Sequence, residues 1–275
     1  MQDKISLAGD LGSGKSTVSD ILIERLGAEY YSTGRIVREI AARYKMDVKD
    51  FNVYMETHPE IDHEIDDGLK ALSDVDKFLI IDSRMAWHFT KGTFKVYLSC
   101  DIEVAAARIM NANRAGEHAA TLEETVNDTR ARRESEKKRY MEQYGQDIKN
   151  LENYSLVLDT TYASPEEVAA ALEAAFDRWK SDKSYRAALI CPERLYYEDD
   201  AAEVPTVEAL AQRLDLGEEI PKIKIYEKDG DFFVCEGVES VLAYALNMAS
   251  HIPCTLVSAP NEENGKKYVR MTNSL

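Results

Sequence analysis

The run Gly9-Asp10-Leu11-Gly12-Ser13-Gly14-Lys15-Ser16 has the residue types and spacing of a phosphate-binding loop, G-x-x-x-x-G-K-[ST]. Its chemistry is electrostatic. Gly9, Gly12 and Gly14 let backbone N–H groups converge on an anion, and the N-terminus of a following helix adds partial positive charge. Lys15 has the reach for the β- and γ-phosphates of a nucleotide, the Ser16 hydroxyl can ligate Mg²⁺, and Ser13 and Thr17 complete the cradle. Such a loop needs a strand before it and a helix after it. The apolar run from Ile5 to Ala8 and the one-sided pattern Val18, Ile21, Leu22, Leu26 supply both.

Other charged residues fall where the same reading needs them. Ser32 and Gly34 stand where a second strand meets a helix, again a place for an anion, and Arg38 lies one turn into that helix. Asp82-Ser83-Arg84 ends a third strand, where ligands bind in open parallel sheets: Asp82 can hold Mg²⁺ through water and Arg84 can bind phosphate. Arg108 precedes, and Arg114 lies within, a polar break from Asn111 to Glu117 with the composition of a closing lid. Arginines there can neutralise the charge of a transferred phosphoryl group. Arg132, Glu136 and Arg139 share one helical face by i, i+4, i+7 spacing, two guanidiniums around a carboxylate that can accept from ribose hydroxyls or orient an arginine. No Ser/His/Asp or Cys/His constellation is evident, which suits phosphoryl transfer, where positioning and charge neutralisation dominate.

These residues need a scaffold, and the apolar patterning outlines it. Strand candidates at Ile5–Ala8, Glu29–Ser32, Phe78–Ile81, Phe94–Leu98 and Ser155–Leu158 alternate with helical patterns, including a charged helix from about Leu122 to Tyr144 and one starting at Pro165 behind a Ser164 cap. The pattern predicts an α/β unit over residues 1–180, a five-stranded parallel sheet covered on both faces. After the polar stretch Lys180 to Ser184, shorter strands are expected at Ala187–Ile190, Ile223–Tyr226, Phe232–Cys235 and Cys254–Val257, with a hairpin through Lys228-Asp229-Gly230-Asp231 and a helix from about Val238 to Ala249. Residues 181–275 are therefore expected to form a small α+β domain.

Bulk properties narrow the partners. The net charge of −16 divides into −7 over residues 182–275 (17 acidic, 10 basic) and −9 before them, so neither part invites general nucleic-acid or anionic-membrane binding. Four scattered cysteines without a C-x-x-C pair indicate neither a zinc site nor a disulfide framework. The start MQDKISLAG lacks the order of a signal peptide, and no apolar run approaches the ~20 residues of a membrane span, so a cytoplasmic protein is expected.

At these residues the chain resembles the cytidylate kinases, especially their short archaeal-type branch, over roughly residues 1–178. The segments that carry the likeness are Tyr31-Ser32-Thr33-Gly34 with Arg38, Asp82-Ser83-Arg84-Met85-Ala86-Trp87, and above all Ser135-Glu136-Lys137-Lys138-Arg139-Tyr140 followed by Tyr144-Gly145 and Asp147-Ile148. The resemblance implies ATP-dependent phosphorylation of CMP or dCMP. Ser32, Arg38, Arg84, Arg132, Glu136 and Arg139 would contact the acceptor; Lys15, Ser16, Arg108 and Arg114 would serve Mg·ATP and the transferred group. Arg35 stands where that family usually has Asp, and the lid is short. Residues 186–258 resemble more weakly the ParB-like/sulfiredoxin-like fold, through Ile220-Pro221-Lys222-Ile223-Lys224-Ile225-Tyr226, Asp229 to Val234 and Ile252-Pro253. The arginine that usually follows the glycine of its phosphate signature is absent from Gly237-Val238-Glu239-Ser240. A modulating or assembling role is expected of this part, a homodimer through it included. The alternatives are a kinase for another small acceptor, a non-catalytic nucleotide sensor, or a role in DNA segregation, which the acidic charge disfavours.

Overall fold

The protein is described by a computed structural model covering residues 3–112, 121–198, 203–260 and 268–271. The strands β1 (Lys4–Gly9), β2 (Glu29–Ser32), β3 (Leu79–Asp82), β4 (Thr93–Ser99) and β5 (Leu156–Asp159) run parallel in the order β5-β4-β1-β3-β2. β1 sits at the centre, so its C-terminal end, where the glycine loop begins, opens between β3 and β4. This is the crevice position in which open α/β sheets hold ligands.

The sheet does not stop there. β6 (Ala187–Ile190) pairs parallel with β5, and β7 (Leu195–Glu198), β8 (Ile223–Lys228), β9 (Asp231–Glu236), β10 (Ile252–Leu256) and β11 (Tyr268–Arg270) extend it, among the described residues, to an eleven-stranded sheet ordered β11-β7-β9-β8-β10-β6-β5-β4-β1-β3-β2. The expected five-stranded parallel sheet is thus part of a larger one, and its parallel run continues into β6. The physical reason is the edge of β5: its backbone donors and acceptors would otherwise be exposed, and the apolar Ala187-Ala188-Leu189-Ile190 satisfies them directly.

The helices are α1 (Lys15–Leu26), α2 (Thr33–Arg43), α3 (Val48–Glu56), α4 (Pro59–Ala71), α5 (Ala86–Phe89), α6 (Ile102–Asn111), α7 (Leu122–Tyr144), α8 (Pro165–Ser181), α9 (Val204–Asp215) and α10 (Val238–Leu246). α1 and α8 cover one face, burying Val18, Leu22, Val168, Leu172, Phe176 and Trp179 against Ile5, Leu7, Phe94 and Val96. Each such side chain contributes about 1.5–3 kcal/mol of transfer free energy. A second apolar cluster crosses the junction between the parts: Ile81, Tyr97 and Val157 are continuous with Ala188, Ile190, Ile223, Val241 and Ile252. α2, α3 and α4 form an arm after β2, closed around Ala41, Phe51, Met55 and Ile61.

Local chemistry fixes the ends that matter. Thr121 and Glu124 form a reciprocal capping box that starts α7, and Ser164 with Glu167 does the same for α8 behind Pro165. The β8–β9 hairpin turns through Asp229 and Gly230, both with positive φ, as a twisted two-residue turn requires.

Candidate active site

The loop from Gly9 to Gly14 leaves β1 and enters α1 with backbone angles that only glycine takes easily: Gly9, Gly12 and Gly14 have φ of +146°, +75° and +79°. Space matters as much. A Cβ on Gly9 would lie 2.3 Å from the Leu98 carbonyl oxygen, and one on Gly12 would lie 2.5 Å from that of Ala105 in α6. The loop is therefore pressed onto β4 and α6 at van der Waals distance. Ser13 is buried and its Oγ donates to the Asp10 carbonyl at 2.8 Å, while Ser16 and Thr17 stand exposed at the start of α1. The Lys15 ammonium folds back onto the loop, donating to the carbonyls of Asp10 (2.8 Å) and Gly9 (3.1 Å). Burial first, and the Arg84 charge second, pull its pKa down to about 7, against the pull of Asp82, Asp10 and Glu136. An incoming phosphate would reverse that balance.

A cavity of about 290 Å³ opens in front of this loop, walled by the loop and α1 (Gly12, Ser16, Thr17), α6 (Arg108, Ile109), the segment after β5 (Thr160, Ala163) and the start of α8 (Pro165, Val168). Arg108 is held in the wall. Its guanidinium donates to the carbonyls of Thr160 (2.7 Å) and Thr161 (3.1 Å) and to Thr160 Oγ1 (3.3 Å). It is tied to the β5 end and not extended toward the glycine loop. Arg114, expected beside it, lies outside the described residues.

On the other side of the loop, α7 faces the ends of β1 and β3. Glu136 is almost fully buried and takes Arg84 Nε at 2.8 Å on one oxygen and Arg132 Nε at 3.2 Å on the other. Burial pushes this carboxyl up, but Arg84 and Arg132 outweigh it and hold it at about 2. Arg139 is buried along the same helix and its charge adds to the pull on Glu136, while its Nε lies 3.6 Å from Asp62 Oδ2 of α4 and its Nη2 donates to the Tyr140 hydroxyl at 3.3 Å. The direct partner beside Arg132 is Arg84 from the β3 end, a pairing that helix periodicity cannot announce.

Ser32 caps α2, accepting from the Arg35 N–H at 3.3 Å. Arg38 is exposed, and its guanidinium lies back beside Gly34, where a Cβ on that glycine would stand 3.6 Å from Nη1. Arg35 forms an exposed i, i+4 pair with Glu39 at 3.7 Å. Asp82 accepts from the Tyr30 hydroxyl at 3.0 Å and stays partly open at the end of β3.

Asp10, a variable position of the loop motif, is a residue that the spacing argument missed. Its carboxylate is buried and accepts from the Tyr97 hydroxyl (2.8 Å) and the Cys100 N–H (3.0 Å), with Lys149 bonded and Arg133 Nη2 at 3.5 Å. Burial opposes its ionisation, yet Lys149 and Arg133 hold it well below the usual carboxylate range. A small pocket brings Gly9 and Asp10 together with Arg84, Arg133, Glu136 and Lys149. Arg133 Nε and Nη2 are buried and make no hydrogen bond among the described residues. Two signals existed in the sequence: an acid inside a glycine loop, and a second arginine next to Arg132.

Among the described residues no cluster of three His, Cys, Asp or Glu side chains could enclose a metal. The exposed Ser16 hydroxyl and the open Asp82 carboxylate offer hard oxygen donors near the phosphate loop, a set that fits Mg²⁺, which keeps several waters and takes its other ligands from phosphates. No described helix is long and apolar enough to cross a membrane.

Residues 4–162 match the cytidylate kinase-like family, and the chain belongs to it. A cytidylate kinase of Thermoplasma volcanium is 35% identical over 191 residues, covering 68% of this chain and 98% of that protein. One from Archaeoglobus fulgidus is 36% identical over 158 residues, 57% of this chain and 85% of that one. An S-adenosylmethionine-dependent nucleotide dehydratase of Lacinutrix mariniflava is 36% identical over 173 residues, 62% of this chain but 35% of that longer protein.

Proposed function

We propose that this member of the cytidylate kinase-like family transfers the γ-phosphoryl group of Mg·ATP to a nucleoside monophosphate, CMP or dCMP, giving the diphosphate. One observation carries the reading furthest: the phosphate loop residues Gly9 and Asp10 border the same pocket as Arg84, Glu136 and Arg133, so a donor on the loop and an acceptor on the arginine cluster would meet end to end.

In this reading the donor base and ribose occupy the cavity between Arg108, Ile109 and Thr160, with the phosphates on the N–H groups of Gly12 to Thr17. Lys15 leaves the Gly9 and Asp10 carbonyls for the β- and γ-phosphates, where burial makes its charge strong. Bound with the nucleotide through Ser16 and, by water, Asp82, Mg²⁺ supplies charge neutralisation on the transferring phosphates. Glu136 fixes Arg84 and Arg132 side by side, two guanidiniums of the kind that grip an acceptor phosphate, and Ser32, Gly34, Arg38 and Arg139 border the acceptor side. Arg133 carries buried N–H groups without a hydrogen bond that suit an oxygen of the moving phosphoryl group. Arg114 keeps its proposed lid role. Residues 181–275 are read as a second unit, ParB-like/sulfiredoxin-like in strand and hairpin pattern, that modulates the first.

Steady-state kinetics with variants tests the assignment. Lys15→Met should lower kcat about 10²- to 10³-fold with acceptor binding retained, the scale of losing one electrostatic donor to the reacting group. Arg132→Met should raise the acceptor KM about tenfold or more and leave the ATP KM within twofold. Full turnover in Lys15→Met would refute the site.

A further inference from the structure

The donor cavity is braced from behind by residues that the family match, which ends at residue 162, does not include. Arg194 follows β6 and is 1% exposed. Its Nη1 donates to Asp101 Oδ2 at 3.0 Å and to Asp231 Oδ1 at 3.2 Å, its Nη2 donates to the Gly230 carbonyl at 2.6 Å, and its Nε lies 3.6 Å from Asp159 Oδ1. Two of these acids sit on the elements that supply the cavity's walls, without lining it themselves. Asp101 caps α6, the helix that carries Arg108 and Ile109, accepting from the N–H groups of Glu103 and Val104. Asp159 ends β5, and its Oδ1 accepts from Thr161 Oγ1, just before the Thr160 to Ala163 wall. The third acid, Asp231, opens β9 in the C-terminal part.

Other C-terminal contacts converge on the same two points. Arg270 Nη2 donates to Asp101 Oδ2 at 3.1 Å and to the Tyr162 hydroxyl at 3.0 Å. A ring nitrogen of His251 meets the Asp159 carbonyl at 2.8 Å. Within the wall, Arg108 then ties α6 to the Thr160 and Thr161 carbonyls, and Gly12 presses on Ala105. The path from the C-terminal part to the glycine loop is thus a chain of direct contacts: Arg194, Asp101 and Asp159, α6 and the β5 end, then the loop.

We infer that Arg194 is a positioning residue for the donor nucleotide: with Arg270 it locks α6 and the segment after β5 at the separation that the donor requires, which makes residues 181–275 part of the donor site's construction and a handle on ATP affinity. The inference rests on reading the cavity as the donor site. It accounts for a guanidinium fully buried among three carboxylates, an arrangement of little use for stability alone, because desolvation offsets most of the attraction. The fork of Arg194 fixes geometry among the carboxylates in a way that an ammonium cannot.

The test compares wild type with Arg194→Lys, Arg270→Gln and Asp231→Asn in the full chain, measuring KM for ATP and for CMP, kcat, and ATP binding by direct titration. Arg194→Lys should raise the ATP KM and Kd about tenfold, and Arg270→Gln about threefold, within the range that such contact networks carry. The CMP KM and kcat should stay within about twofold. Asp231→Asn, at a half-exposed acid, keeps the question answerable should Arg194→Lys fail to fold, and should raise the ATP Kd about threefold. Unchanged ATP binding in folded Arg270→Gln and Asp231→Asn, or equal changes in both KM values, would overturn the inference. A wild-type protein that binds no ATP would overturn the reading beneath it and the inference together.

Discussion

Lys15 and Glu136 show how charge is set at single residues. Burial and Arg84 lower the Lys15 pKa from 10.5 to about 7, so in the empty protein the ammonium is lost as pH rises through 7. Phosphate oxygens favour the ammonium, so ATP binding at pH 8 should take up a proton. Titration calorimetry in two buffers of different ionisation enthalpy should show an uptake of about one proton per ATP at pH 8 and much less at pH 6. Equal heats in both buffers at pH 8 would contradict this. Glu136 has the opposite sign. Its pKa falls from 4.5 to about 2, so its contribution to stability is fully present above pH 4.5 and is lost as pH falls through 2. Glu136→Gln should cost about 2 kcal/mol at pH 7, less than a fully buried pair because Arg132 is 35% exposed. Between pH 4.5 and 2 the stability gap between variant and wild type should close, as followed by urea unfolding; a constant gap would contradict the assignment. The loop, Arg132 and Glu136 were legible because motif and helix spacing are local. Asp10 with Lys149, and Arg84 on Glu136, were not, because partners 139 and 52 residues apart meet only through the sheet.

At the scale of elements, the glycine loop works because nothing stands between it and α6. Gly12→Ala would put a Cβ 2.5 Å from the Ala105 carbonyl at a φ of +75°. The expected outcome is a loss of about 1–3 kcal/mol in thermal or urea unfolding, together with weaker ATP binding as α6 is pushed from the loop. A variant with wild-type stability would contradict this packing. Sequence patterning located β2 and α7 to the residue, since a short tyrosine-bearing run or a capped helix is decided by its own side chains. It missed β7 and β11, short strands held by pairing with β9 and with each other, and the helix α9, although Pro205 and the Val207, Leu210, Ala211 stripe signalled it. It also stopped the sheet at β5, because whether the next strand joins an edge is decided by tertiary pairing and not by composition.

Over the whole molecule, one sheet and one apolar cluster join the family-matched part to the C-terminal strands, with Arg194 buried at the junction. Calorimetry should therefore record a single cooperative unfolding transition with calorimetric and van't Hoff enthalpies in agreement; two resolved transitions would contradict the shared core. The central claim, that the loop and the arginine cluster pass a phosphoryl group between two nucleotides, is tested most directly by ADP release from Mg·ATP against CMP, dCMP, UMP, AMP, GMP and no acceptor. The account predicts rapid release that depends on CMP or dCMP and forms the matching diphosphate. Release that is slow and indifferent to every acceptor would contradict it.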